Sequence, residues 1–230
     1  MSGSSETAPS RSAVLRAAVG IGLYAGAFGI AYGAVAVGSG LSVSQAMVLS
    51  LLLFSGGSQF AFVGVVAAGG SGFAAIMAAM LLGVRNAFYG VPLSQILQPR
   101  GWLPRMGTAH FVIDETTAMA VGQPTRELQR YAFWATGLIL FPLWQLGSLT
   151  GALVGAAIDP ADFGLEAAAP AVFLGLLWPA LQRRDNRVVA LAGAAVALAL
   201  VPVAPAGVPV IAAAAVALAA GLLRRRTVPS

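Results

Sequence analysis

Apolar residues fill long stretches of this chain, separated by short polar breaks, and from Ala17 to Val84 no residue carries a formal charge. Apolar segments fall near 14–38, 43–68, 72–97, 107–122, 131–157, 166–182, 187–203 and 207–223. Four exceed the ~20 residues a helix needs to cross a bilayer core, and all but the fourth reach the lower bound of about 17. The pattern predicts an all-α, polytopic helical membrane protein with seven or eight transmembrane helices. Three segments are interrupted or marginal: the second by Ser55-Gly56-Gly57-Ser58-Gln59, the third by Arg85-Asn86, and the short fourth by His110, Asp114 and Glu115. If the fourth were re-entrant rather than spanning, another segment would have to change as well.

Composition strengthens this reading: 58% of the 230 residues are apolar and only 9% are charged, where soluble domains carry about 25%. Residues 13–224 read as one transmembrane domain, with residues 1–12 as a disordered cytoplasmic tail and 225–230 as a second tail. The run from Ala17 to Gly38 is too long for the apolar core of a signal peptide and is expected to stay in the membrane. Net charge is +5; its cations are all arginines in polar breaks or near the termini, with no basic stripe interleaved with aromatics, so nucleic acid is not expected as a partner. No cysteine is present, which removes disulfides, thiol catalysis and Cys-based metal sites.

Arginines in short loops mark the cytoplasmic side. Arg11 and Arg16, then Arg183, Arg184 and Arg187, then Arg224-Arg225-Arg226 place both termini there, while Asp159, Asp162 and Glu166 suit an outside loop. Arg100 and Arg105 disagree, since eight crossings would put them outside. Small residues recur at Gly22, Gly26, Gly29 and Gly33 and at Gly147, Gly151 and Gly155, spacings that let helix backbones approach closely. The turns at Gly40-Leu41 and Gly164-Leu165 suggest an internal repeat of the first two segments in the fifth and sixth.

Charged groups at membrane depth are costly and usually face a partner or a watery cavity. Each glycine of the Ser55–Gln59 break weakens a helix by ~1 kcal/mol relative to alanine. A helix broken there offers the positive N-terminal end of its second half, near Ser58-Gln59-Phe60, to a carboxylate; the alternative is an intact helix packed at its glycines. Arg85 and Tyr89 are i,i+4 with Asn86 beside them, a face suited to an anion because the Arg fork binds carboxylates in bidentate fashion. Were the helix to end near Gly83, Arg85 would instead snorkel to headgroups. His110 and Asp114 are also i,i+4, with Thr117 further along and Glu115 turned ~100° away. The two acids suit an ammonium group or a carried proton, and their alternative is an exposed pair at a helix end.

The run SGGSQF (55–60), then GVRNAFYGVPL (83–93), then FVIDETTA (111–118) resembles the AzlC family of branched-chain amino acid exporters in order and spacing. The likeness is strongest from Tyr24 to Gly122. The resemblance implies an inner-membrane permease exporting leucine, isoleucine, valine and sometimes methionine on a proton gradient, with no other cofactor, and a small hydrophobic AzlD-type subunit as partner. It places Ser55, Gly57, Ser58, Gln59, Arg85, Asp114 and Glu115 at the family's motif positions. Gly83 stands where many members have Asn, and Asn86 where they have His or a bulkier residue.

The reading is an amino acid exporter rather than an enzyme. Arg85 and the Ser58–Gln59 helix end would take the carboxylate, Asp114 or Glu115 the ammonium, and Phe28, Tyr32 and Phe60 would line an apolar pocket. The rival is a non-transporting scaffold or regulatory subunit whose polar residues bind another protein's helices. A Ser58/His110 hydrolase is disfavoured because the glycine expected after a nucleophile at a tight turn is absent. A metal site would need more ligands than one His and two acids.

Overall fold

The computed structural model describes residues 10–157, 181–204 and 208–225, with Leu174 and Trp178 as single positions. Nearly all of the 166–182 segment, the Asp159/Asp162/Glu166 loop and the Gly164-Leu165 turn lie outside the described residues. The described secondary structure is helical: α1 (Arg11–Gly38), α2 (Val43–Leu52), α3 (Gly56–Ala67), α4 (Gly72–Leu97), α5 (Trp102–His110), α6 (Asp114–Val121), α7 (Arg126–Ala157), α8 (Arg184–Leu200) and α9 (Val208–Arg225).

Serines set three of the starts by accepting a bond from an otherwise unpaired first-turn amide. Ser10 accepts from Ala13 N at 3.3 Å and Ser71 from Ala74 N at 3.2 Å. Ser42 forms a reciprocal box with Gln45. Three of the helices, α1, α4 and α7, are long and apolar enough to cross a membrane. α4 runs unbroken through Arg85-Asn86, against the expected interruption, and continues past Pro92.

α1 and α7 lie side by side and parallel. Arg11 pairs with Glu127 at one end, Val14 packs with Leu128 and Ala132, Gly22 faces Ile139 and Leu143, and Gly155 faces Ala34 at the far end. The two glycine ladders are the interface itself. A Cβ on Gly29 would stand 2.7 Å from the Trp144 carbonyl oxygen, and one on Gly33, Gly147 or Gly151 would collide with the carbonyl of Ser148, Gly26 or Ile30. Lipid supplies no hydrophobic force between helices, so this backbone-to-backbone contact is what holds the pair.

The second and fourth apolar segments are not single helices; each is broken in two and turns back partway along the bundle. α2 descends along α7: Tyr32 donates to the Ala46 carbonyl, Trp144 to Ser50, and Phe54 meets Phe141. From Gly56 the chain climbs back as α3, antiparallel to α4, with Gly57 beside Arg85 and Val65 beside Ala75 and Ala78. The fourth segment is likewise two helices. α5 shares a cleft with the last turns of α4, Phe111 reaches Phe141 and Trp134, and α6 returns beside the first turns of α7, where Ala120 packs with Leu93, Ile96 and Phe133.

The two hairpins therefore enter from opposite ends and meet tip to tip, with the Phe54 ring 5.8 Å from those of both His110 and Phe111. At ~1.5 Å per residue, helices of 8 to 12 residues span only about half of a ~30 Å core. Arg130 donates to the Ile96 carbonyl at 2.7 Å, so the α4–α5 connection with Arg100 lies at the same end of the bundle as Arg11 and Arg126. That removes the conflict over Arg100 and Arg105.

The same order, a long helix followed by a hairpin, occurs twice in inverted sense, as α1–α3 and α4–α6. The expected repeat of the first two segments in the fifth and sixth involves the 166–182 segment, nearly all of which lies outside the described residues, and the glycines of α1 and α7 form the packing interface between those two helices. Toward the C-terminus α8 and α9 pack on each other, and α9 touches α4.

Candidate functional site

Both hairpin breaks present the start of a helix to one cavity of about 820 Å³, bounded also by α1, α4 and α7. The first amides of a helix have no intrahelical acceptor and carry its positive end. The α3 start is bare, with Ser55, Gly56 and Gly57 lining the cavity, and the α6 start carries Asp114 and Glu115. The expected helix end at Ser58–Gln59 thus lies two residues earlier, at Gly56. Ser58 and Gln59 are fully buried behind it, where Ser58 Oγ lies 3.3 Å from Ser55 Oγ and both Gln59 amide atoms lack a protein partner.

The charged groups converge as the sequence suggested, though the fourth segment folds differently. Arg85 Nη2 lies 2.6 Å from Asp114 Oδ2, and the Tyr89 hydroxyl donates to Asp114 Oδ1 at 2.7 Å. Both side chains of the ion pair are 42% exposed, so the pair faces the cavity rather than closed protein. Glu115 lines the cavity beside them with no cation within ion-pair distance among the described residues. A Cβ on Gly57 would stand 3.0 Å from Arg85 Nη2, which places the guanidinium directly against the start of α3.

His110 and Asp114 do not share a helix face. Phe111–Ile113 separates them, because Thr116 Oγ1 takes over the backbone there, accepting from Ile113 N–H at 3.2 Å and donating to the Phe111 carbonyl at 2.6 Å. His110 packs among Phe54, Phe111 and Phe141 and does not line the cavity. Asn86 and Thr117 stay off the cavity wall too, each with a buried oxygen that has no protein partner.

Apolar walls come from Ile21, Ala25 and Phe28 on α1, Phe60 on α3 and Trp144 on α7. Tyr32, expected on the wall, is fully buried behind Phe60 and Trp144, with ring centroids 5.8 and 6.0 Å away. The contributions of Tyr24 and Trp144 were missed from sequence. One signal was present, since both are large aromatics on helices carrying close-packing glycines, but it does not say which face they take.

The resulting site has a bare helix start on one hairpin beside Arg85 of α4, an acidic start on the other, and apolar walls along α1 and α7. Among the described residues no group of three or more His, Cys, Asp or Glu could hold a metal ion.

Comparison with known proteins places this arrangement in context. The family model described as "AzlC protein" matches residues 20–158, which contain both hairpins and nearly all of the three long helices. "Inner membrane protein YgaZ" of Escherichia coli (strain K12) is 30% identical over 174 residues, 71% of either chain. An "Uncharacterized membrane protein" of Archaeoglobus fulgidus is 33% identical over 71% of this chain and 72% of its own. Another of that description, from Helicobacter pylori (strain J99), is 26% identical over 73% and 74%. No solved structure matches the chain.

Proposed function

This chain belongs to the AzlC family of membrane proteins, and on that premise we propose that it is a permease exporting branched-chain amino acids. The observation that carries the reading is the chemical asymmetry of a geometrically paired site. The two hairpins offer equivalent helix starts, yet one begins Ser55-Gly56-Gly57 beside Arg85 and the other begins with Asp114-Glu115. A zwitterion has matching ends: its carboxylate fits the bare start of α3 with the Arg85 guanidinium, and its ammonium fits Asp114 and Glu115. Phe28, Phe60 and Trp144 supply the apolar surface for an aliphatic side chain.

Sidedness follows from the positive-inside rule. Arg11, Arg100, Arg126 and Arg130 gather at one end of the bundle, which we assign to the cytoplasm. On that assignment α1, α4 and α7 are crossings, with the start of α1 on the inner side. Family membership supports a small AzlD-type membrane subunit as partner and the proton gradient as driving force, with Glu115 as the acid free to carry the proton.

The test is efflux from cells loaded with a leucine-containing dipeptide, with the small subunit co-expressed. Arg85→Ala and Asp114→Asn, at equal membrane level, should each abolish leucine export; unchanged export overturns the reading. Lost co-purification with the small subunit would instead point to a scaffold.

A further inference from the structure

We propose that Trp144 determines which side chains this permease accepts, acting as a fixed wall that admits short branched amino acids and turns away aromatic ones. The inference rests on the amino acid reading above. It names the residue that sets selectivity, which that reading leaves open.

Trp144 differs from the other apolar wall residues in being anchored on several sides. Its indole N–H donates to Ser50 Oγ at 3.1 Å. Ser50 lies 3.4 Å from Ser148 Oγ, one turn further along α7. The ring stacks on Tyr32 at 6.0 Å and 26°, and Tyr32 is itself fixed by its hydroxyl to the Ala46 carbonyl at 2.9 Å. A side chain so held cannot swing aside to make room, whereas Ile21 and Phe28 have no polar anchor.

Position gives the wall its effect. A Cβ on Gly56 would stand 3.1 Å from Trp144 Cη2, so the six-membered edge of the indole overhangs the bare helix start. An amino acid whose carboxylate is held there carries its side chain past that edge. Apolar pockets discriminate by roughly 10–200-fold per methylene, and the benzyl side chain of phenylalanine exceeds the isobutyl side chain of leucine by more than one such step.

The experiment measures efflux of leucine and phenylalanine from cells loaded with the corresponding dipeptides and co-expressing the small subunit. Trp144→Ala should raise the phenylalanine-to-leucine ratio about tenfold or more. Ser50→Ala, which leaves the ring but removes its anchor, should raise it by less. If Trp144→Ala does not reach the membrane, Trp144→Phe keeps an aromatic on Tyr32, withdraws the far edge and must shift the ratio the same way. Leucine efflux in every variant with an unchanged ratio overturns the role of Trp144 alone. Absence of amino acid efflux from the unaltered protein overturns the transport reading and this inference with it.

Discussion

Arg85 and Tyr89, one turn apart on α4, each hold a different oxygen of Asp114, at 2.6 and 2.7 Å. The carboxylate at the start of α6 is thus gripped by one helix face, and the hairpin tip is tied to α4 through it. Removing the hydroxyl alone tests the grip without disturbing the ion pair. Tyr89→Phe should cost a hydrogen bond to a charged acceptor, ~1.5 kcal/mol for a half-exposed group, and lower export about tenfold at unchanged membrane level. Leucine efflux kinetics would measure it, and a wild-type rate would show that Tyr89 is not part of the site.

Gly57 leaves room for the guanidinium. Because the atom a Cβ would meet at 3.0 Å is the far end of a flexible side chain, Gly57→Ala should fold normally and displace Arg85 rather than the backbone. The expected outcome is normal protein level with a raised substrate concentration for half-maximal efflux. Gly20→Ala, with nothing within 4 Å, is the neutral control.

Gly29, Gly33, Gly147 and Gly151, where α1 meets α7, have no such latitude, since what they meet is backbone. Gly33→Ala or Gly151→Ala should destabilise the protein by ~1–3 kcal/mol or more, as overpacking does. Thermal unfolding in detergent should occur at a lower temperature, with less protein in the membrane. A midpoint equal to wild type would contradict the contact.

Gln59 is fully buried and neither end of its amide has a protein partner, an arrangement that costs roughly 1–3 kcal/mol where the group stays unsatisfied. Gln59→Leu is therefore expected to raise the thermal midpoint and to impair export, as happens where stability is traded for activity. A more stable and fully active variant would show the amide to be dispensable.

The absence of cysteine makes the opposed hairpins directly testable by single-cysteine labelling with membrane-impermeant reagents. Ser39→Cys and Ala68→Cys should label from outside, and Arg100→Cys and Arg126→Cys only after the cytoplasmic face is exposed. Two crossings in place of two hairpins would exchange the behaviour of positions 68 and 100.

How much of this was legible in the sequence depends on what hydropathy encodes. It gives the length of an apolar segment and not its course, so residues 43–68 read as a crossing although Gly56-Gly57 rightly marked a break. The fourth segment carries no glycine or proline between Thr108 and Thr117 to announce its break. Its signal is the Thr116 hydroxyl, and only the fold reveals that bond. The convergence of Arg85 with Asp114 was readable because isolated opposite charges at membrane depth must find one another or water. The disagreement of Arg100 and Arg105 with eight crossings was itself a trace of the hairpins. Aromatic placement was readable only in part: Phe28 and Phe60 line the cavity as expected, whereas Tyr24, Tyr32 and Trp144 differ only in the direction each faces.

Where Gly29, Gly33, Gly147 and Gly151 bring α1 onto α7, main chain lies against main chain with no side chains between to readjust. Such a joint has one spacing and behaves as a chassis. Phe28 and Trp144 are mounted on it, while Arg85 and the two hairpin tips are carried by neighbours joined through side chains. The cavity therefore straddles the boundary between a stationary part and parts that can shift, so movement of α4 with the α5–α6 hairpin changes the distance between the charged groups and the apolar wall while Trp144 stays held by Ser50.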